Sequence, residues 1–496
     1  MRRSLGTALT VLAASCALAA TALVTPAQAD PQPSDPAYTA RDVQNIADAY
    51  GRIHGPGGQL RNPAYLPALV EQSTARSVEQ LLTQVASPTR LALTAGNVVP
   101  GWNVGNPLRA GWSGTRGLSR DVAFTNQYGA LLRGTVYRPR PGARDPYTGR
   151  VLTGPFPGVV ITEGSVQGSE RMYEWLAQDL AERGYVVLTY DVQGQGRSET
   201  LPHETGDVLP FCDPFAEPAD GEQSGCPGVP FQQLSNFVVG TRNALGFFTS
   251  TPERPYANPG AAAGEATAYN PYWRLFDRSP DRQTATPGRT TRIAIIGHSM
   301  GAAAVSKVQG TDRRVAAVVA LDKLTGPGAD GPLDGSGNKP VVPALAVQAE
   351  YGFTVSPWFT SGGSSLNPEP SPDGPDPMRE RATGFDAWER AGVDSMLVVP
   401  RASTHLEFTD IPLVLPASRY GQDLTSVYTQ LWLDRYLKHR DHTSALLGRQ
   451  FRYLEPVGNG RWSPVTLERD PLLSFYYCSA YAVGSRADGD VTGVGC

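Results

Sequence analysis

The residues best suited to do chemistry lie in Gly297-His298-Ser299-Met300-Gly301. This run follows the apolar stretch 292–296 and precedes small helix formers from Ala302 onward. A serine on a sharp strand-to-helix turn stands exposed at a sheet edge, and flanking glycines leave room for the turn. The helix start beyond it offers backbone N–H groups to a developing negative charge. Such a serine needs a base. Of six histidines, His298 adjoins the serine but points elsewhere on the turn. His54 lies in the leader, His203 in an insertion, and His439 and His442 at the end of the last helix. His405, in Arg401-Ala-Ser-Thr-His405-Leu-Glu-Phe408, follows the last apolar strand and reaches toward the same edge. A carboxylate must then orient the imidazole. Asp322 ends Val318-Val-Ala-Leu-Asp322 and Glu350 ends Ala346-Val-Gln-Ala-Glu350. Either gives the chain order serine, acid, histidine, and pattern alone leaves both open. Two backbone N–H donors should face the oxyanion. They are expected from Met300, directly after the serine, and from Ser165 in Glu163-Gly164-Ser165-Val166. Glu163 is expected to turn away and hold its own loop through backbone N–H bonds.

Six short apolar runs must position these groups: 158–162, 185–190, 292–296, 315–321, 343–349 and 395–399. They do not alternate polar with apolar, and helical stretches separate several of them, notably 170–183 and 421–439 at the end. That pattern predicts an α/β fold with a mostly parallel central sheet covered by helices on both faces. Two alternating strands, 121–125 and 131–137, precede it. Long Pro/Gly-rich insertions interrupt it at 199–231, 251–290 and 351–384. The first two carry Phe211, Phe215, Tyr256, Tyr269, Tyr272, Trp273 and Phe276 and are expected to roof the pocket. The catalytic domain then spans 116–442, with a leader at 30–115 and an irregular tail at 443–496.

These motifs resemble the α/β-hydrolase superfamily over roughly 120–440. The resemblance rests on Pro157-Gly-Val-Val-Ile-Thr-Glu-Gly164, on Leu180 through Asp191, on Gly194-Gln-Gly-Arg-Ser198, on the serine turn and on the His405 loop. Two secreted branches stand out. Val347-Gln-Ala-Glu350-Tyr351 resembles cutinase-type polyester hydrolases, whose acid falls two residues later, where this chain has Gly352. Ala320-Leu321-Asp322 and Ser403-Thr-His405-Leu-Glu-Phe408 resemble type II platelet-activating-factor acetylhydrolases, which implies Asp322 as the acid, ahead of Glu350 and of Asp373 or Asp376. The implied function is cleavage of carboxylic esters, of lipids or other acyl groups, through an acyl-enzyme on Ser299 without cofactor or metal. A peptidase or acyltransferase on the same fold, and an inactive hydrolase-like binding protein, are the alternatives.

Composition restricts the partners. Lys plus Arg number 43 against 47 Asp plus Glu, a net charge of −4, with no clustered positive charge to hold nucleic acid. The 53 Gly and 43 Pro concentrate in the insertions and the ends. Arg2 and Arg3, the uncharged stretch 5–24 and Ala27-Gln28-Ala29 predict a signal peptide in residues 1–29, cleaved after Ala29, and hence secretion. No later run is long enough for a transmembrane segment. In an exported chain, Cys212, Cys226, Cys478 and Cys496 are expected to form disulfides, paired by proximity as Cys212–Cys226 and Cys478–Cys496. The protein is expected to act as a monomer.

Overall fold

Apolar, β-branched runs bounded by Pro and Gly form the centre of the molecule. The computed structural model describes residues 35–51, 59–86, 102, 104–165, 168–200, 233–327, 338–358, 362, 374–411, 419–440, 443–484 and 489–491. β1 (Gly117–Thr125) and β2 (Leu131–Pro139) pair as an antiparallel ribbon. β3 (Gly158–Thr162), β4 (Val186–Tyr190), β5 (Ile293–His298), β6 (Ala317–Leu321), β7 (Ala344–Val347) and β8 (Ser395–Val398) follow. β9 (Gln450–Gly458) and β10 (Arg461–Glu468) form a separate hairpin, and β11 (Ala480–Ala482) and β12 (Gly489–Asp490) end the series.

The main sheet runs β1-β2-β4-β3-β5-β6-β7-β8-β11-β12. The six strands from β4 to β8 are parallel, and the flanking strands are antiparallel. This is the α/β-hydrolase fold. Strand parity divides the core in two. Val160, Ile295 and Val318 face the helices Leu234–Phe248 and Met300–Thr311. Val159, Ile161, Ile296 and Val319 face the helices Glu174–Glu182 and Arg419–Lys438. Both faces being covered, the strands need no polar side, so the runs read as continuous.

From β3 the chain moves to β4 on one side and to β5 on the other. Such a reversal opens a crevice at the carboxyl ends of the strands. The register pairs Thr162 with Gly297, so the loop after β3 begins beside the turn after β5.

Two expectations are corrected. The tail beyond 443 is not irregular: it supplies the β9–β10 hairpin and the edge strands β11 and β12. The insertion 251–290 does not roof the crevice. Phe276 packs on Phe248 and against Gly158, the first residue of β3, at the opposite edge from Ser299. Its neighbours bond the outer strand β1, with Thr267 N–H donating to Ala123 O and Thr125 N–H donating to Asn258 Oδ1. An uncovered outer strand exposes unpaired backbone groups, and this insertion satisfies them. Residues 201–231, with Phe211 and Phe215, lie outside the described residues, as do the signal segment and Cys212, Cys226 and Cys496. Cys478 is buried. Among the described residues no helix is long and apolar enough to cross a membrane.

Candidate active site

Ser299 sits between β5 and the helix Met300–Thr311 with φ 56° and ψ −123°, a conformation that L residues rarely adopt. The glycines around it are required by contact. A Cβ on Gly297 would lie 2.1 Å from Gly301 O, and one on Gly301 would lie 2.4 Å from Glu163 O. The turn and the loop after β3 therefore touch backbone to backbone. Ser299 N–H donates to Leu321 O, which ties the turn to the end of β6.

His405 opens a short 3-10 turn after β8. Its N–H donates to Gly352 O at 2.9 Å. Its ring lies edge-on to Phe353, with centroids 4.9 Å apart, so the insertion beginning at 351 reaches the site. Ser299 Oγ–H donates to His405 Nε2 at 2.9 Å, and His405 Nδ1–H donates to Asp322 Oδ2 at 2.5 Å. Burial pushes the Asp322 carboxyl up, but the hydrogen bond from His405 and the nearby charges of His405 and Lys323 outweigh it and hold the group below its ordinary value. An ionised Asp322 fixes the imidazole proton on Nδ1 and leaves Nε2 to accept.

Asp322 and Glu350, open on pattern alone, separate here. Glu350 is fully buried and occupied elsewhere: Oε1 accepts from Ser474 Oγ, and Oε2 accepts from Asn45 Nδ2 and Ala402 N–H. The alternative acid thus ties Asn45 and Ser474 to the loop before His405 and has no bond to the imidazole. Of the further acids, Asp376 accepts from Met378 N–H, and Asp373 lies outside the described residues.

No family model matches the chain. A stretch of 127 residues is 32% identical to an uncharacterized protein of Pseudomonas aeruginosa, covering 25% of this chain and 32% of that one. The match thus spans about a third of that relative's length. Among solved structures, a ferulic acid esterase from Streptomyces cinnamoneus aligns with a TM-score of 0.38 and 18% identity, over 65% of this chain and 89% of that one.

Met300 begins the helix after Ser299, where the first N–H groups have no intrahelical acceptor. Ser165 lies two residues beyond Glu163, whose carbonyl abuts Gly301, so the two expected donors flank one junction. Glu163 holds the neighbouring loop after β4 rather than its own: Oε1 accepts from Val192 N–H at 2.7 Å and Gln195 Nε2 at 2.8 Å. Burial, with Asp191 nearby, raises its carboxyl well above the ordinary range. Asp191 in turn organises the Gly194–Ser198 run by accepting from Glu170 N–H and Arg197 N–H.

Sequence reading set His298 aside, and nothing in the sequence pointed to Tyr173. The two meet at 2.7 Å across 125 residues, a separation that leaves no local signal. Among the described residues no cluster of His, Cys, Asp and Glu is arranged to hold a metal ion.

Proposed function

We propose that the protein is a secreted serine hydrolase that cleaves carboxylic esters of lipids or other acyl groups. The observation that carries this reading is the directed line Asp322–His405–Ser299, at 2.5 and 2.9 Å, at the carboxyl edge of the sheet. Ser299 Oγ attacks the ester carbonyl carbon while its proton passes to His405 Nε2. Backbone N–H groups of Met300 and Ser165 receive the oxyanion. Collapse breaks the bond to the alcohol oxygen, which takes the proton from His405. Water, deprotonated by the same imidazole, then releases the acid and restores Ser299. Phe353 against His405 supplies an apolar wall suited to an acyl or aryl group.

The test is turnover of short and long p-nitrophenyl acyl esters, together with covalent labelling by a fluorophosphonate. Ser299→Ala should abolish both. Asp322→Asn should keep the fold and lower kcat by about 10⁴-fold, as when an imidazole is held in the wrong tautomer. Unchanged turnover in Ser299→Ala would sink the reading.

A further inference from the structure

We infer that His298 and Tyr173 are positioning residues that lock His405 to the loop carrying the expected oxyanion donor Ser165. The inference rests on the serine hydrolase reading and deepens it.

The hydrogen bonds run in one direction. Gly164 N–H donates to Tyr173 Oη at 3.0 Å. Tyr173 Oη–H donates to His298 Nδ1 at 2.7 Å. His298 Nε2–H donates to the carbonyl oxygen of His405 at 2.9 Å. A carbonyl only accepts, so Nε2 carries the ring proton and Nδ1 must accept. The tyrosine proton is thereby committed to Nδ1, and its oxygen lone pairs face Gly164. The order of donors has one solution, and it requires a neutral His298. A second ring proton would turn Nδ1–H against Tyr173 Oη and leave the phenol proton without its acceptor.

The surroundings enforce that neutrality. His298 and Tyr173 are both buried. The His298 ring lies 4.7 Å from the His405 ring and 5.7 Å from Phe408, by centroids. The titratable groups acting on the pair are His405, Asp322 and Glu163. Burial and the neighbouring His405 push the His298 imidazole down to about 3. His298 therefore offers no competing site for the proton that His405 Nε2 takes from Ser299. Meanwhile the His405 peptide is held on both sides, its N–H by Gly352 O and its carbonyl by His298. The chain joins three separate elements: the loop after β3, the serine turn, and the loop after β8. Ordinary core packing would need none of the donors to be directional.

The test compares Tyr173→Phe, His298→Gln and His298→Leu with the parent. Tyr173→Phe keeps the ring volume and deletes both bonds of the phenol. It should lower kcat by about 10- to 100-fold, the scale of a small misplacement of reacting groups, with KM within about twofold. The lower pH limb of kcat/KM should move. His298→Gln retains a donor toward the His405 carbonyl and should recover most of the rate that His298→Leu loses. Nitrogen NMR of the imidazoles gives a readout free of turnover. In the parent, His298 should stay a neutral Nε2–H tautomer down to about pH 4, and Tyr173→Phe should mix its tautomers and displace the His405 titration. Parent-like kcat, pH limb and His405 titration in a folded Tyr173→Phe would overturn the inference. Loss of labelling by the parent itself would instead count against the serine hydrolase reading, with the NMR comparison still deciding this one.

Discussion

Glu163 places a carboxyl group beside the serine turn, and burial there works against its charged form. One oxygen collects Val192 N–H and Gln195 Nε2, while Oε2 is buried without a hydrogen-bond partner among the described residues. A charged carboxylate there would oppose the negative charge that develops on an ester oxygen. The pH dependence follows from the direction of the shift. A folded-state value raised above 4.5 makes the contribution to stability full below about 4.5, and it is lost as pH rises through the raised value. Neighbouring Glu170, pushed up to about 7 mainly by burial, loses its contribution over the same window. Glu163→Gln mimics the neutral form and leaves Glu170 in place, so the comparison isolates one group. Thermal melts should match the parent near about pH 5 and exceed it near about pH 8. A variant less stable than the parent at the higher pH would mean that the carboxylate is held ionised. That Glu163 would turn away from the serine was readable in the sequence, but its partners Val192 and Gln195 in the loop after β4 were not. Nor was the Tyr173–His298 bond, because residues far apart in the chain leave no spacing to count.

At the scale of elements, the parallel strands were legible because their chemistry is local. A run such as Gly158-Val-Val-Ile-Thr162 becomes β3 with no change of boundary, since β-branched side chains buried on both faces leave no other pattern. The helix Leu234–Phe248 has no clear sequence signal: Gly240, Gly246 and Thr241 blur its propensity, and packing against the helix Met300–Thr311 compensates. The placement of the insertion 251–290 was missed for a related reason. Aromatic rings suit a ligand roof and an edge cover equally, and only the partner atoms distinguish them. The serine turn is the element where backbone contact matters most. Gly301 meets Thr162 O and Glu163 O, and neither is a flexible side chain that can yield. Gly301→Ala should therefore force the loop after β3 away from the helix start. Overpacking of this kind costs about 1–3 kcal/mol, and separation of the two expected oxyanion donors should lower kcat by about 100-fold. Chemical denaturation and ester turnover measured together check both parts. A folded Gly301→Ala with parent-like kcat would detach Ser165 from the mechanism.

At the scale of the whole molecule, the helix Pro36–Gly51 and the segment around Ser474 and Tyr476 meet beside the site. The helix Pro36–Gly51 brings Asn45 to Glu350 and Tyr351, and Asp42 to Tyr476 and Trp358. The tail brings Ser474 to the same Glu350, and Arg401 reaches back to Asn45 and Asp48. The sequence marked a leader at 30–115 but not its task, because the polar residues that dock its first helix read as an ordinary solvated face. Glu350 accepts from both segments, through Asn45 and Ser474, with Ala402 N–H adding the loop that leads to His405, while Asp42 joins the helix to Tyr476 directly. Replacing Glu350 with Ala leaves buried donors from Asn45, Ser474 and Ala402 without their acceptor. The expected loss of stability is roughly 2–5 kcal/mol, the range for stranding several buried polar groups at once. Because Glu350 holds both segments and Asp42 links them to each other, they should loosen together. Hydrogen exchange in Glu350→Ala should rise in parallel over 36–51 and 474–482, while β3 to β6 keep their protection. Faster exchange in one segment alone would mean that each segment is anchored separately and that Glu350 is no bridge. Parallel loosening with a lowered kcat would further tie the two segments to the posture of His405, which sits three residues beyond Ala402.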